Sequence, residues 1–274
     1  MIPHKRILIL LLATLLIAGC SLFGDEKDKT RGWSADKLYS KASKAMADDD
    51  YETAIKYYEL LEARYPFGPL ARQAQLDTAY AYYKSDDPDS AIAAADRFIR
   101  LNPDNPHVAY AYYLKGIANF NRTLGFLERF LPTDTSQRDP RAALTSFKDF
   151  SELVRRFPDS EYAADARKRL LYLRNNLARH EIHAAAYYMK RGAYVAAVER
   201  ADYVVKHYQK TPSLRDALTI MAAAYDKLGM KDLASDARRV LTLNANSGAF
   251  VEDPRTHGKR SWGQRIWDFI GLDR

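Results

Sequence analysis

Small residues recur in pairs twelve positions apart along the chain: Ala42 with Ala54, Ala79 with Ala91, Ala185 with Ala197, and Ala222 with Ala234. Gly116 and Ser146 form a fifth pair, separated by an insertion. From the second member of one pair to the first of the next the step is 25 residues for Ala54 to Ala79, Ala91 to Gly116 and Ala197 to Ala222. Two helices approach closely only where their side chains are small, so this register predicts helical hairpins stacked one upon another. Aromatic residues supply the next layer, with Tyr82, Tyr112, Tyr188 and Tyr225 on first helices and Tyr58, Phe98 and Phe150 on second ones. Pro66, Pro103 and Pro158 each follow the second small position by twelve residues, where proline ends a helix.

The pattern resembles the tetratricopeptide repeat, a helix-turn-helix unit of about 34 residues, although the unit here is nearer 37. The predicted fold class is all-α, an α-solenoid of about five tetratricopeptide-type helical hairpins over residues 34–246. Repeats one and two span about 34–68 and 69–105, and repeats four and five about 176–211 and 212–246. The third is split between Phe120 and Arg141 by a stretch whose Gly, Pro and Asp content reads as a loop with a short helical piece. Segment 160–191 is one long helix or two abutting ones, with no proline or glycine inside its helical run to decide.

The two ends of the chain have a different character. Residues 1–19 open with Lys5 and Arg6, continue as an apolar run from Ile7 to Ala18 broken by Thr14, and lead to Cys20. That is the plan of a secretory signal peptide, too short to span a bilayer comfortably. The ending Ile17, Ala18, Gly19, Cys20 resembles the bacterial lipobox, which predicts cleavage before Cys20 and lipid on that residue. A plain signal peptide with an incidental cysteine is the alternative. Cys20 is the single cysteine, so no internal disulfide can form, and lipidation gives the thiol a use. Ser21 stands where aspartate would resemble an inner-membrane retention signal, which favours the outer membrane with the domain facing the periplasm. Residues 20–33 read as the lipidated cysteine and a flexible tether. Residues 247–274 read as a linker and an amphipathic helix, with Trp262, Ile266, Phe269 and Ile270 on one face beside Lys259, Arg260 and Arg265. The tail has three readings: a cap on the last repeat, a partner dock, or a segment at the membrane interface.

Charge and missing chemistry narrow the function. Cleavage removes Lys5 and Arg6 and no acid, lowering the formal charge from +7 to +5 over about 255 residues. Acids and bases are interspersed as on solvated helix faces, which argues against nucleic acid. His180 and His183 lie three apart in HEIHA, whereas a zinc protease needs HExxH with the second histidine at Ala184. No phosphate-binding glycine loop and no nucleophile elbow is present. The expectation is a protein with no catalytic residue, no metal and no cofactor beyond lipid on Cys20.

Several segments are more specific than a generic repeat: RYPFGP at Arg64 to Pro69, AYAYYK at Ala79 to Lys84, DRFIRLNP at Asp96 to Pro103, RDPRAA at Arg138 to Ala143, KRLLYL at Lys168 to Leu173 and RGAYVAAVER at Arg191 to Arg200. With the split third repeat, they resemble the BamD (ComL) family, lipoproteins of the outer-membrane β-barrel assembly machinery. The resemblance implies a periplasm-facing outer-membrane lipoprotein that binds BamA and unfolded β-barrel precursors. It further implies a BamA contact at Arg200 and Tyr194, substrate contacts at Tyr65, Phe67, Gly68 and Arg191, and other Bam lipoproteins such as BamC as partners. Each residue has a plainer reading. In it Tyr65 and Phe67 only staple adjacent repeats, Arg191 is a favourable cation at a helix C-terminus, and Arg200 is a solvated helix residue. The mechanism expected is a concave face lined by first helices and rich in tyrosine, of which the chain has 19, holding extended aromatic strands. A tetratricopeptide-repeat lipoprotein that scaffolds cell-wall or envelope enzymes is the competing function; it shares the lipobox and the alanine register but not the split third repeat.

Overall fold

The computed structural model describes residues 29–123 and 134–251. The expectations for residues 1–28 (Cys20 included), for most of the insertion and for the tail 252–274 lie outside the described residues. Among the described residues the helices are α1 (Ala35–Ala47), α2 (Tyr51–Arg64), α3 (Pro69–Lys84), α4 (Pro88–Leu101), α5 (Val108–Thr123), α6 (Arg141–Arg156), α7 (Ala163–Lys190), α8 (Tyr194–His207), α9 (Ser213–Lys227) and α10 (Lys231–Asn246). Successive pairs form five hairpins, so the fold is the all-α solenoid that the spacing predicts.

Each hairpin meets at its small residues: Ala42, Ala54, Ala79, Ala91, Ser146, Ala185, Ala197, Ala222 and Ala234 are all buried. Large groups follow on the second helices four or seven residues later, as Tyr58 and Leu61, Phe98, Phe150 and Leu153, and Val204, all buried. This spacing keeps one helical face inward. Where α6 carries the fully buried Phe150, α5 carries Gly116, and a Cβ there would lie 2.5 Å from the Phe150 ring. Ser146 Oγ donates to the Gly116 carbonyl at 3.0 Å, closing the same contact.

The turns repeat as strictly as the helices. Asp49, Asp86, Gly192 and Gly229 all have positive φ, each seven residues after the small position of its first helix. Left-handed backbone suits Gly and is tolerated by Asp, which explains the residue types found there. Asp50 and Asp87 then cap the second helices by accepting from the amides of Thr53 and Ser90, both at 3.1 Å. The corresponding position in the third repeat is Thr123, the last residue of α5, where the inserted sequence begins.

Segment 160–191 contains one continuous helix, α7, of 28 residues. The step from Ser146 to Ala185 exceeds the usual 25 by 14 residues, about four helical turns, so the added length brings the small face back to the same side. Tyr162, the N-cap of α7, and Tyr172 within it meet α5 through rings: Tyr113 on Tyr162 at 5.1 Å, Tyr110 on Tyr162 at 5.3 Å and Phe120 on Tyr172 at 5.6 Å. The C-terminal half of α7 packs on α8 and α9. First helices also touch the next first helix at α1 with α3, α3 with α5 and α7 with α9, whereas no two second helices are in comparable contact among the described residues. First helices therefore form the inner, more crowded layer of the stack.

The end of the segment read as a tether is held to the first repeat. Arg64 donates to the Thr30 carbonyl at 2.6 Å and to Thr30 Oγ1 at 2.9 Å. The Trp33 ring lies 5.8 Å from that of Tyr57, with the Lys37 ammonium 4.4 Å from its centre. No described helix is long and apolar enough to cross a membrane.

Candidate functional site

The candidate residues fall in two places, at the junction of repeats one and two and in repeat four, and the fold does not bring these together. The first is the RYPFGP turn. After α2 ends at Arg64, Tyr65 is its C-cap, and Pro66 prevents the helix from continuing. Gly68, at φ 110°, precedes Pro69, the first residue of α3. An L side chain rarely adopts that backbone, so Gly68 is needed for the conformation, and space around it is open. Between two prolines and this glycine Phe67 projects outward, 90% exposed. Tyr65 behaves differently, because its hydroxyl donates to the Trp33 carbonyl at 2.8 Å. Tyr65 thus ties the turn back to the start of its own repeat, a bond within repeat one and not between adjacent repeats, while Phe67 stays exposed.

The second place is the hairpin between α7 and α8. Arg191 is the C-cap of α7 and is exposed, in the position where a cation complements the helix C-terminus. Gly192 turns the chain, and Tyr194 opens α8 half-buried. Arg200, two turns along, donates from Nη1 to Glu181 Oε2 on α7 at 3.1 Å. That hydrogen bond raises the Arg200 guanidinium above its ordinary value. Arg200 is therefore more than a solvated residue, since a carboxylate of its own chain orients it while nearly half of the side chain stays exposed. Glu181 is largely enclosed and the guanidinium half solvated, so the pair orients Arg200 while leaving it accessible.

Beside Arg191 and Tyr194 the sequence reading missed Tyr187 and Val195, exposed by 57% and 59%. Their signal was present. Tyr187 and Tyr188 are consecutive on a helix, so only one can face the neighbouring hairpin; the rings meet edge-on at 5.7 Å.

The two histidines have a structural task. His180 Nδ1 lies 2.8 Å from the Ser136 carbonyl, and His183 Nε2 lies 3.3 Å from Asp134 Oδ2. Asp134 also accepts from the Ser136 amide, capping the short 3-10 turn Thr135–Gln137. The His183 hydrogen bond, with those from Ser136, holds the Asp134 carboxyl well below the usual carboxylate range. The HEIHA pair thus clamps the end of the insertion against α7. Among the described residues no group of three or more His, Cys, Asp or Glu is arranged to hold a metal. Two further acids have internal partners: Lys115 bridges Asp96 at 2.7 Å and Asp149 at 3.5 Å, and Asn119 donates to Asp149 at 2.7 Å. Burial pushes the Asp149 carboxyl up, against the pull of Lys115. That cluster joins α4, α5 and α6.

A family model described as "Outer membrane lipoprotein" (YfiO) matches residues 32–241. The "Outer membrane protein assembly factor BamD" of Neisseria meningitidis serogroup B is 43% identical over 266 residues, covering 96% of this chain and 99% of that one. Proteins of the same name from Xylella fastidiosa (Temecula1) and Vibrio cholerae are 40% and 36% identical. These matches cover 89% and 85% of this chain, and 83% and 96% of theirs.

Proposed function

Because the chain belongs to the YfiO family of outer membrane lipoproteins, which includes the BamD assembly factors, we propose that it serves the assembly of outer-membrane β-barrel proteins as a holder of polypeptides. Similarity to a named assembly factor over nearly the whole of both chains is the observation that carries this reading. In it, lipid on Cys20 ties the repeats to the periplasmic side of the outer membrane. The α7–α8 hairpin binds BamA through Arg200 and Tyr194, other Bam lipoproteins such as BamC join the same scaffold, and unfolded barrel precursors are held at Tyr65, Phe67, Gly68 and Arg191. Function here is binding, and the residues given contact roles take part through non-covalent contacts.

The local geometry supports the division of roles. An aromatic ring exposed on a turn stiffened by two prolines has lost most of its backbone freedom before binding, so little further entropy is lost on contact. Strands of barrel precursors alternate aromatic or apolar with polar side chains, and a fixed ring suits one face of such a strand. Arg191 adds a charge at the far repeat that can meet a carboxylate or backbone carbonyls.

A synthetic peptide copying the C-terminal strand of an outer-membrane barrel is expected to bind the processed chain. Phe67→Ala should weaken binding about tenfold, the usual scale for truncating an aromatic anchor, and Arg191→Ala by a smaller factor. Both side chains are exposed, so the melting temperature should hold within about 1 °C, and fluorescence anisotropy beside thermal circular dichroism separates the effects. Equal affinity for both variants and the parent would remove these residues from the substrate site.

A further inference from the structure

We propose that residues 261–272 dock along the open flank of α10 and cap the solenoid. Every earlier second helix is covered by the first helix of the next repeat, as α2 by α3, α4 by α5, α6 by α7 and α8 by α9. Among the described residues α10 has no such successor, and its flank is apolar. Leu233, Val240 and Leu243 are 45%, 39% and 62% exposed, and Met230 just before the helix is 46% exposed. Steps of seven and three residues place the three α10 side chains along one side of the helix. Ala234 and Ala237, on the adjoining face, are buried toward α9.

The occupant is read from the chain itself. Trp262, Ile266, Phe269 and Ile270 follow at steps of four, three and one, which gives a single apolar face of matching period. The chain leaves α10 on the same hairpin, where the Arg215 guanidinium lies 4.6 Å from the centre of the Phe250 ring. From Val251 to Ser261 there are ten steps, a reach of up to ~33 Å, against ~24 Å for the length of α10. The tail can therefore lie beside any part of the flank. Charge is mixed on both partners, with Lys231, Arg238 and Arg239 beside Asp232 and Asp236 on α10, and Arg239 pairs with Asp236 within the stripe; the apolar period and the reach of the linker select the tail. A lipid surface or a second copy of the chain would also cover apolar groups, but the tail is present in cis at high effective concentration.

Tryptophan emission tests this. The chain has three tryptophans, and Trp33→Phe with Trp267→Phe leaves only Trp262, on the apolar face of the tail. In a chain that starts at residue 20 and carries Cys20→Ala, free of lipid and detergent, the remaining emission is expected to be blue-shifted and shielded from iodide, independent of protein concentration. Adding Leu233→Asp and Leu243→Asp should shift it to that of solvated tryptophan and raise quenching several-fold, with unchanged helical content because both leucines are exposed. Solvated emission before those substitutions would overturn the proposal. So would blue emission that disappears on dilution, which would indicate a second copy, or that requires anionic vesicles, which would indicate the membrane. Blue emission indifferent to the two leucine substitutions would place the tail elsewhere and overturn it too.

Discussion

Gly116→Val is expected to lower stability by about 3 kcal/mol, the upper end of what overpacking a well-filled core costs. In a domain of this size that corresponds to a fall in melting temperature of about 6–12 °C. A Cβ at this position would lie 2.5, 2.6 and 2.9 Å from three atoms of the Phe150 ring, and Phe150 is fully buried with no space to retreat. Valine gains only a few tenths of a kcal/mol in helix propensity over glycine, which cannot offset the collision. Relief has to come from moving α5 away from α6, and that would stretch the 3.0 Å hydrogen bond from Ser146 to the Gly116 carbonyl. Phe150→Ala alone should cost about 3–5 kcal/mol through the cavity it leaves. The double variant Gly116→Val, Phe150→Ala is expected to be more stable than the sum of the two single effects by about 1 kcal/mol or more, because valine occupies part of that cavity. Additive losses in urea titrations followed by circular dichroism would show that the two residues do not share a contact.

Cys20→Ala should give the largest effect in the cell. Each buried methylene of an acyl chain contributes about 0.8 kcal/mol; one chain is marginal, and several make a durable anchor. With the thiol gone, palmitate incorporation is expected to fall to background, and the protein should leave the outer-membrane fraction. The repeats themselves should fold as before, since Cys20 precedes the first described contact of the chain at Thr30. Palmitate labelling with membrane fractionation reads both outcomes, and undiminished label on the alanine variant would refute the lipobox reading.

The fold was largely legible because a solenoid repeats its own constraints. Small residues at steps of twelve and 25 mark hairpins directly, and each proline after a second helix marks its end. The reason for glycine rather than alanine at position 116 was not legible, since it depends on Phe150, 34 residues away and across the insertion. Continuity of α7 was also hidden, because no local residue distinguishes one helix from two; the extra four turns make sense only once both ends pack. At the candidate site, sequence located the RYPFGP turn but could not separate Tyr65 from Phe67. Their difference arises from the Trp33 carbonyl, 32 residues upstream, which holds one hydroxyl and leaves the other ring exposed. The histidine pair illustrates the converse. Its spacing fails the zinc pattern by one residue, and its partners, Ser136 and Asp134, lie more than forty residues away on the insertion.

The account depends on the α7–α8 hairpin presenting Arg200 to the barrel-forming partner. Affinity purification of the lipidated chain from detergent-solubilised outer membranes tests that most directly. A large β-barrel protein is expected to be recovered with the parent chain and to be reduced at least tenfold with Arg200→Ala, a side chain nearly half exposed, at unchanged helical content. Recovery of no barrel protein with the parent chain, or equal recovery with the variant, would contradict it.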